Sequence, residues 1–386
     1  MFRESFEKVL SVLYGKRTVV VGAGRYGLEL VTSLIDKGIS IEYIFDNKDE
    51  LNGLYAYGIQ VVRPFYVDGK DFFYIVAVDN DFNRYCLIKQ LTELGISNES
   101  IVCYYPHRCL DYHAELSPDD YKKAVETVFE DEFGYPMPWD NPQTYNEKIN
   151  WEKFNLSDER RTVLSDKLRV REWVSSKIGK EHLTRHLAIW EQVDDVDFDI
   201  LPGSFVLKAN NASSRNILVK NKSELDREKT RDRLRHWMSS NYMFENFEMH
   251  YKDIKPCIIA EEYLDGMAES LYDYNVFCFH GEPEYIWCIK GSHRPGCSAT
   301  FYDKDWKMQP FSYGYPLDIY PAPRPEKLDE MLELTRELCR GFDHVRVDWY
   351  IMPDGRILFG EMTFQTWGGI RRIVPAKYDL LLGSLI

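Results

Sequence analysis

A predicted β-hairpin near the end of the chain carries acidic side chains in two strands that are otherwise mostly apolar. The letters PDG at 353–355 are a strong turn signal between the two apolar runs. With the loop centred between the last two of these residues, Asp348 lies opposite Glu361, and Arg346 lies opposite Thr363. Because side chains alternate between the two faces of a strand, all four share one face.

Two carboxylates that face each other across a β-ladder repel, so this face needs a compensating cation. Arg346 supplies part of that charge. Mg²⁺ would supply more, because it prefers carboxylate oxygens completed by water and substrate phosphates. Two other interpretations stay open at this point. The cluster could be an ion-pair ladder on a solvated face, and a register slip of one residue would separate the two carboxylates.

Two upstream strands also carry charged side chains that could contact a nucleotide. Lys208 interrupts an apolar strand and precedes the small, polar loop 210–216, whose backbone N–H groups could turn toward an anion. The apolar run 258–264 turns acidic at Glu261 and Glu262, where a strand exit can offer a carboxylate to an amine or a ribose. Taken singly, the first pattern also fits a surface lysine before a turn, and the second fits a plain strand end.

Taken in order along the chain, these pieces resemble the ATP-grasp fold, and more closely the TupA-like (teichuronopeptide-biosynthesis type) ATP-grasp family. The resemblance covers roughly residues 141–386. The segments that carry it are TYNEKINW at 144–151, DKLRVREWV at 166–174, FVLKAN at 205–210, HYKDIKPCIIAEEYL at 250–264, FYDKDW at 301–306 and the hairpin VRVDWY…FGEMTF at 345–364.

This resemblance implies ATP and Mg²⁺ as cofactors and assigns roles to individual residues. The residues implied to bind the nucleotide are Lys167, Lys208, Ser213, Ser214, Glu261, Glu262, Leu264 and Asp273. Within this set, the lysines contact phosphates, the serine loop closes over them, Glu262 and Leu264 give backbone contacts near adenine, and Asp273 holds the ribose. The implied metal ligands are Asp348, Glu361 and Thr363, and the implied catalytic residues are Arg346 and Lys208.

The family also implies a reaction. ATP-grasp enzymes phosphorylate a carboxylate to an acyl phosphate, which an amine then displaces, so the chain resembles an ADP-forming ligase that makes a carbon–nitrogen bond. The resemblance points to a carboxylated sugar or glycan precursor, joined to an amino acid or amine in cell-surface polysaccharide biosynthesis. Two alternatives stay open, namely a glycosyltransferase of polysaccharide synthesis and an NAD-binding oxidoreductase or sensor.

A glycine-rich loop near the N-terminus is a second candidate site. Gly22, Gly24 and Gly27 follow a predicted strand and open a helix, and Asp46 ends the next strand, where a ribose-binding acid would lie. The segment also resembles the N-terminal domains of bacterial sugar acyltransferases, which implies a nucleotide-sugar site. NAD(H) binding and a structural domain without a ligand remain alternatives.

The elements that position these residues suggest two kinds of sheet. Residues 17–106 alternate strand and helix patterns, which predicts a parallel, doubly wound sheet. The predicted fold class is therefore an α/β Rossmann-like N-terminal domain followed by an α+β ATP-grasp fold. The predicted boundaries are 1–112 for a nucleotide or nucleotide-sugar binding domain, 113–165 for a helical or extended connector, and 166–386 for the catalytic domain.

Composition limits the partners. The chain has 386 residues and a formal net charge of −14, which disfavours nucleic acid and anionic membrane surfaces. No apolar run approaches the length of about 20 residues that a membrane-spanning helix needs. The eight scattered cysteines are typical of reduced thiols and, with the rest, predict a cytoplasmic protein. We expect small-molecule carboxylate and amine substrates, and leave open a nucleotide-linked sugar and a homodimer.

Overall fold

The computed structural model describes residues 3–13, 15–66, 72–78, 80–105, 110–264, 272–291 and 297–386. These residues pack into two compact units, Met1–Leu116 and Ser117–Ile386. In the described part of the chain, no helix is both long enough and apolar enough to cross a membrane. The seven cysteines within these ranges are all free thiols, and four of them are buried.

The first unit is built on a mixed sheet. Its described strands are β1 (Arg17–Val21), β2 (Ile41–Phe45), β3 (Tyr55–Ala56), β4 (Ile59–Val62), β5 (Phe72–Val76) and β6 (Ile101–Cys103), in the spatial order β3-β4-β2-β1-β5-β6. Its helices are α1 (Arg3–Leu13), α2 (Arg25–Asp36), α3 (Asp81–Glu93) and α4 (Leu110–Ala114). All neighbours pair in parallel except the edge pair β3 and β4. This sheet is compatible with the predicted parallel arrangement, and the Rossmann-like label stays a prediction.

The second unit contains antiparallel sheets and most of the helices. Its described strands are β7 (His186–Trp190), β8 (Phe205–Ala209), β9 (Asn216–Val219), β10 (Ile258–Glu262), β11 (Tyr272–Phe279), β12 (Glu282–Lys290), β13 (Ser298–Asp303), β14 (Ser312–Tyr313), β15 (His344–Ile351), β16 (Ile357–Thr363) and β17 (Ile373–Val374). Its helices are α5 (Tyr121–Phe133), α6 (Tyr145–Asn155), α7 (Glu159–Ser165), α8 (Val170–Ile178), α9 (Arg227–Ser239), α10 (Met243–Asn246), α11 (Leu328–Cys339) and α12 (Lys377–Gly383).

Two of these sheets carry the residues of interest. One has the order β7-β10-β8-β9, and the other has the order β13-β12-β11-β15-β16. The larger sheet is covered on both faces, as the alternation along β11 shows. Val276 and Cys278 pack in one core with α8 and α11, whereas Phe277 and Phe279 pack in another with α6 and α12. Packing on both faces gives the strands of the site a rigid support.

Helix α6 begins at a capping box. The Thr144 side chain accepts from the backbone N–H of Glu147, and the Glu147 side chain accepts from the backbone N–H of Thr144. This reciprocal pair satisfies two of the N–H groups that a helix start leaves open. It fixes where the helix begins and therefore which of its residues face the larger sheet.

The hairpin of β15 and β16 differs from its predicted register near the turn. Arg346 pairs with Thr363 as predicted, but Trp349 pairs with Phe359, one residue away from the predicted partner. The predicted loop centre is therefore wrong by half a residue, and a bulge between Val347 and Trp349 restores the register beyond it. Gly360 permits this bulge, because a Cβ there would lie 3.1 Å from the Asp348 backbone oxygen.

Candidate active site

One face of the smaller sheet gathers a lysine, a glutamate and a histidine. Glu261 on β10 is opposite Val206 on β8 and His186 on β7. Lys208, two residues along β8, places Nζ 2.6 Å from Glu261 Oε2. Leu207, which alternates with Lys208 along the strand, packs into the core beneath α9. The charged group therefore lies on the face of this sheet that is opposite to α9.

Glu261 is buried, and its charge depends on these neighbours. Burial by itself would raise the pKa of Glu261, but Lys208 and His186 outweigh it and lower this pKa to about 2. The imidazole Nε2 of His186 lies 3.3 Å from Glu261 Oε1, outside hydrogen-bond geometry. His186 has no assigned role in the sequence analysis. The sequence offers one indication of such a role, which is that His186 is a polar residue at the start of a strand that pairs with the strand of Glu261.

The loop after β8 is tied down at its base. The Asn210 carboxamide donates to Asp166 Oδ1 at 2.9 Å and to the Lys255 backbone oxygen at 3.0 Å, and it accepts from the Cys257 backbone N–H at 2.6 Å. Lys167 then reaches into the loop. Its backbone N–H donates to the Asn210 oxygen at 3.1 Å.

The tip of this loop is where a ligand could gain access. Lys167 Nζ donates to the Ala212 backbone oxygen at 2.6 Å, and Ala212 is fully buried. Ser213 is half-buried, which leaves Ser214 as the exposed residue of the tip, with φ of +58°. The predicted phosphate contacts of Ser213 and Ser214 stay a prediction, and Ser214 is the better placed of the two.

The hairpin brings its four predicted residues together. Arg346 donates from Nε to Asp348 Oδ1 at 2.7 Å and from Nη2 to Asp348 Oδ2 at 2.6 Å. The same Nη2 donates to Glu361 Oε1 at 3.1 Å, and Thr363 Oγ1 donates to that oxygen at 2.9 Å. Lys167 Nζ lies 3.6 Å from Glu361 Oε2, so the lysine that holds the loop also faces the carboxylate pair.

The two carboxylates are electrostatically unequal. Burial raises the pKa of the Asp348 carboxyl to about 7, although Arg346 opposes the rise. Burial would also raise the pKa of Glu361, but Lys167 and Arg346 outweigh it and lower this pKa. Glu361 therefore holds its negative charge more readily than Asp348 does.

These residues fit a magnesium ion. Within the described ranges, no group of three His, Cys, Asp or Glu side chains could hold a metal without help. Mg²⁺ commonly uses one or two carboxylates and takes its other ligands from water and substrate phosphates. Asp348 and Glu361 supply that number of carboxylates, and Thr363 adds a hydroxyl. Both Asp348 oxygens accept from Arg346, so a metal would compete with the guanidinium for them.

Three buried polar atoms that are close in sequence to these residues have no hydrogen-bond partner among the described residues. They are Ser165 Oγ, Asn211 Oδ1 and Gln365 Oε1. Each lies two residues along the chain from a predicted site residue, namely Lys167, Ser213 and Thr363. Because a buried polar atom without a partner is costly, bound water or ligand atoms are the natural partners for them.

Three further predicted nucleotide contacts lie beside this cluster. Asp273 on β11 pairs with Tyr350, and its charge contributes to the raised pKa of Asp348. Leu264 packs in a small apolar cluster with Tyr350 and the two strand ends of the hairpin. Glu262 is already engaged through its side chain and its backbone N–H, both of which bond to Arg185. The backbone contact predicted for Glu262 would therefore have to use its carbonyl oxygen.

The glycine loop of the first unit is accounted for by its own backbone packing. Gly22 has φ of +113°, and a Cβ on Gly27 would lie 1.7 Å from the Gly22 oxygen, whereas a Cβ on Gly24 would meet nothing within 4 Å. Asp46 accepts from the Ala23 backbone N–H at 2.8 Å through Oδ2 and from another backbone N–H through Oδ1. The close packing accounts for Gly22 and Gly27, and a ligand at this loop stays a prediction.

Comparison with known protein families identifies the larger part of the chain. A model of the TupA-like ATP-grasp family matches residues 147–386. The chain belongs to this family. The predicted membership is thus confirmed, and with it the ATP-grasp fold of that region.

The chain also matches several solved structures, all with low sequence identity and low TM-scores. N5-carboxyaminoimidazole synthetase from Staphylococcus aureus, complexed with ADP, is 14% identical with a TM-score of 0.32, over 90% of this chain and 70% of that one. L-amino acid ligase from Bacillus licheniformis is 12% identical with a TM-score of 0.32, over 92% and 70%. The ATP-grasp ligase PsnB, complexed with a minimal precursor, Mg and ADP, is 13% identical with a TM-score of 0.30, over 95% and 97%. A search of the curated proteins finds no match.

Magnesium with ADP is expected to raise Tm more at pH 8 than at pH 6. The pKa of Asp348 is raised in the fold from 3.8 to about 7, so the folded protein holds this proton across that interval and the stability from this group falls as pH rises through it. A cation that binds the ionised carboxylate relieves the penalty most where the carboxylate is ionised. Thermal unfolding at both pH values measures this. Equal shifts in the wild type would contradict it, and Asp348→Asn is the control that should lose the pH dependence.

Proposed function

We propose that the chain is an ATP- and Mg²⁺-dependent ligase that joins a carboxylate to an amine and forms ADP. The observation that carries the proposal is the convergence of Lys167 and Arg346 on the carboxylate pair Asp348 and Glu361. Two cations beside two carboxylates are suited to a polyphosphate whose charge a metal also shares, in a chain whose formal net charge is otherwise −14.

The proposed reaction proceeds in two displacement steps. A carboxylate oxygen of the donor substrate attacks the γ-phosphorus of ATP, ADP leaves, and an acyl phosphate forms. The amine nitrogen of the acceptor then attacks the acyl carbon, phosphate leaves, and the nitrogen loses a proton. Mg²⁺, when bound, neutralises phosphate charge and polarises the group in transfer. Lys167 and Lys208 hold the phosphates, and Arg346 offers preorganised positive charge where negative charge develops.

The substrates belong to the proposal as well. A carboxylated sugar or glycan precursor as donor, and an amino acid or amine as acceptor, are supported by membership in the TupA-like family. The N-terminal unit would hold a nucleotide-linked sugar near its glycine loop. An assay of ADP and phosphate release against panels of uronic acids, nucleotide-uronates and amino acids tests this. Turnover that requires both a carboxylate and an amine supports it, whereas sugar transfer without ATP would replace it with the glycosyltransferase alternative.

Arg371 is expected to bind the substrate carboxylate. Its guanidinium is exposed and lies 5.6 Å from the ring centre of Trp367, and no ion pair holds it within the described ranges. We expect Arg371→Gln to raise KM for the carboxylate substrate about tenfold or more and to leave KM for ATP unchanged, since a charged hydrogen bond contributes about 1.5–3 kcal/mol. Arg372→Gln is the matched control, because Arg372 already donates to the Glu132 backbone oxygen at 2.8 Å. Equal effects of the two variants would refute the assignment.

A further inference from the structure

The turn Thr366–Gly369, directly after β16, has an uncommon backbone. Trp367, Gly368 and Gly369 have φ of +53°, +57° and +66° in succession. Positive φ is unfavourable for a residue with a large side chain such as Trp367. A backbone of this kind persists when the structure around it holds it in place. The contacts that hold this turn therefore indicate which function its strained backbone serves.

The carboxamide of Asn150, on α6, holds one end of the turn. Its Nδ2 donates to the backbone oxygens of Asn146 at 2.9 Å and Gly369 at 2.7 Å, and its Oδ1 accepts from Lys153 Nζ at 2.9 Å. Asn150 is fully buried, and a Cβ on Gly369 would lie 2.7 Å from Asn150 Nδ2. Both hydrogens of the Nδ2 group are therefore donated to backbone oxygens, and the side chain fixes the position of these two backbone segments.

Two further side chains support the turn and the carboxamide. Lys153 is buried and donates from Nζ to Asn150 Oδ1 at 2.9 Å. Asn246 packs on the middle of the turn, where a Cβ on Gly368 would lie 2.5 Å from the Asn246 Cβ. We call the three side chains that hold the turn in this way the turn clamp: Asn150, Lys153 and Asn246.

The first residue of the turn contacts the proposed catalytic arginine. Arg346 Nη1 donates to Thr366 Oγ1 at 3.4 Å, a long hydrogen bond, while the rest of the guanidinium is shared between Asp348 and Glu361. The Tyr313 hydroxyl donates to the Thr366 backbone oxygen at 2.8 Å. Thr366 is fully buried, so a shift of the turn would move the group that fixes one edge of the guanidinium.

We propose that the turn clamp is a positioning device for Arg346, which acts by fixing Thr366 at the edge of the carboxylate pair. The inference rests on the ligase proposed above, in which Arg346 stabilises charge on the transferring phosphate. It assigns a role to helix α6, whose segment 144–151 carries part of the family resemblance but has no predicted site residue.

Asn150→Ser tests the proposal, because the shorter side chain cannot span the distance to the Gly369 oxygen. We expect kcat for ADP formation to fall at least about tenfold with KM for ATP nearly unchanged, because a displacement of about 1 Å at a catalytic group can cost up to about 10²-fold. Tm should stay within a few degrees of the wild type. Hydrogen exchange in a peptide spanning 364–372 should quicken, while other peptides of the second unit keep their rates.

A control that acts on the same helix from outside is Asp379→Asn on α12, which weakens the buried contacts of Asn146 with Asp379 at 3.0 Å but does not touch the turn clamp. It should leave kcat and the exchange of 364–372 as in the wild type. Wild-type kcat in Asn150→Ser, or its failure to fold, would overturn the proposal. Absence of ADP formation in the wild type with every substrate pair would instead overturn the ligase, and the exchange measurement then still reports on the clamp.

Lys153→Met gives an independent measurement, because it removes the donor that holds Asn150 Oδ1 at 2.9 Å and leaves the carboxamide in place. The same direction of change in kcat and in the exchange of 364–372 is expected. Unchanged exchange of 364–372 in this variant would show that Lys153 does not help to hold the turn.

Discussion

Glu361→Gln is expected to abolish ADP formation and leave the fold intact. Glu361 faces Lys167 at 3.6 Å and Arg346 at 3.1 Å, and these cations lower its pKa, so the wild-type side chain offers a permanent anion to a metal. Glutamine keeps the size and can still accept from Thr363, but it cannot neutralise a divalent cation. The loss should be at least about 10²–10³-fold in kcat, which is what the removal of one preorganised electrostatic group costs.

Asp348→Asn should show the same loss, and Asp354→Asn on the same hairpin is the matched control. Asp354 is an exposed residue of the turn that pairs with Arg356, so its carboxylate faces solvent. Rates of ADP release, together with Tm, separate a lost site from a lost fold. ADP production at the wild-type rate in Glu361→Gln or Asp348→Asn would remove the metal site from this hairpin and the ligase assignment with it.

The hairpin shows how far local sequence rules reach. The turn letters at 353–355 and the two-residue period place Arg346 opposite Thr363, which the structure also shows. These rules do not predict the bulge, because the bulge does not arise from the conformational preference of a residue type. Gly360 lacks the Cβ that would meet the backbone oxygen of Asp348 at 3.1 Å, and a glycine inside a strand is equally typical of a tight bend or of a ligand close to the backbone. The four predicted side chains of the hairpin still lie together, because the bulge offsets the error of half a residue in the predicted loop centre.

Interactions between distant segments were harder to predict. Lys167 bonds to Ala212, and Lys208 bonds to Glu261. Spacing along the chain, however, left Lys208 open to interpretation as a surface lysine and Glu261 as part of a plain strand end. The family resemblance, in contrast, predicts that Lys167, Lys208 and Glu261 belong to one nucleotide site. The turn clamp had no such pattern, because Asn150 reaches Gly369 across 219 positions and depends on how α6 packs. Contacts of that kind follow from tertiary packing, which single-residue patterns do not encode.

The glycine loop of the first unit is an opposite case, in which one sequence pattern has more than one cause. The spacing of Gly22 and Gly27 fits a nucleotide loop, and it also fits the close approach of two backbone segments seen at these residues. Asp46, predicted for a ribose, accepts from two backbone N–H groups. Both functions are compatible with one geometry, so the pattern predicts the local structure more firmly than the ligand.

Lys208→Met is expected to weaken ATP binding and to make the stability of the protein dependent on pH. Lys208 is the proposed phosphate ligand, and its loss should lower kcat/KM for ATP by about 10²-fold. It also leaves Glu261 buried, with the His186 imidazole at 3.3 Å as a remaining neighbour. Without Lys208, burial is less opposed, and the pKa of Glu261 rises from about 2 toward or above the value of the unfolded chain.

The sign of the pH effect follows from this rise. In the wild type, the lowered pKa of Glu261 means that its ionised form stabilises the fold above about pH 4.5. In the variant the ionised form loses that advantage, so the difference in Tm from the wild type should be larger at pH 8 than at pH 5. Adding Glu261→Gln should remove this pH dependence without restoring ATP turnover, whereas Lys220→Met, an exposed lysine beyond β9, should change neither. Recovery of turnover in the double variant would mean that Lys208 serves to neutralise Glu261 and does not bind the phosphates.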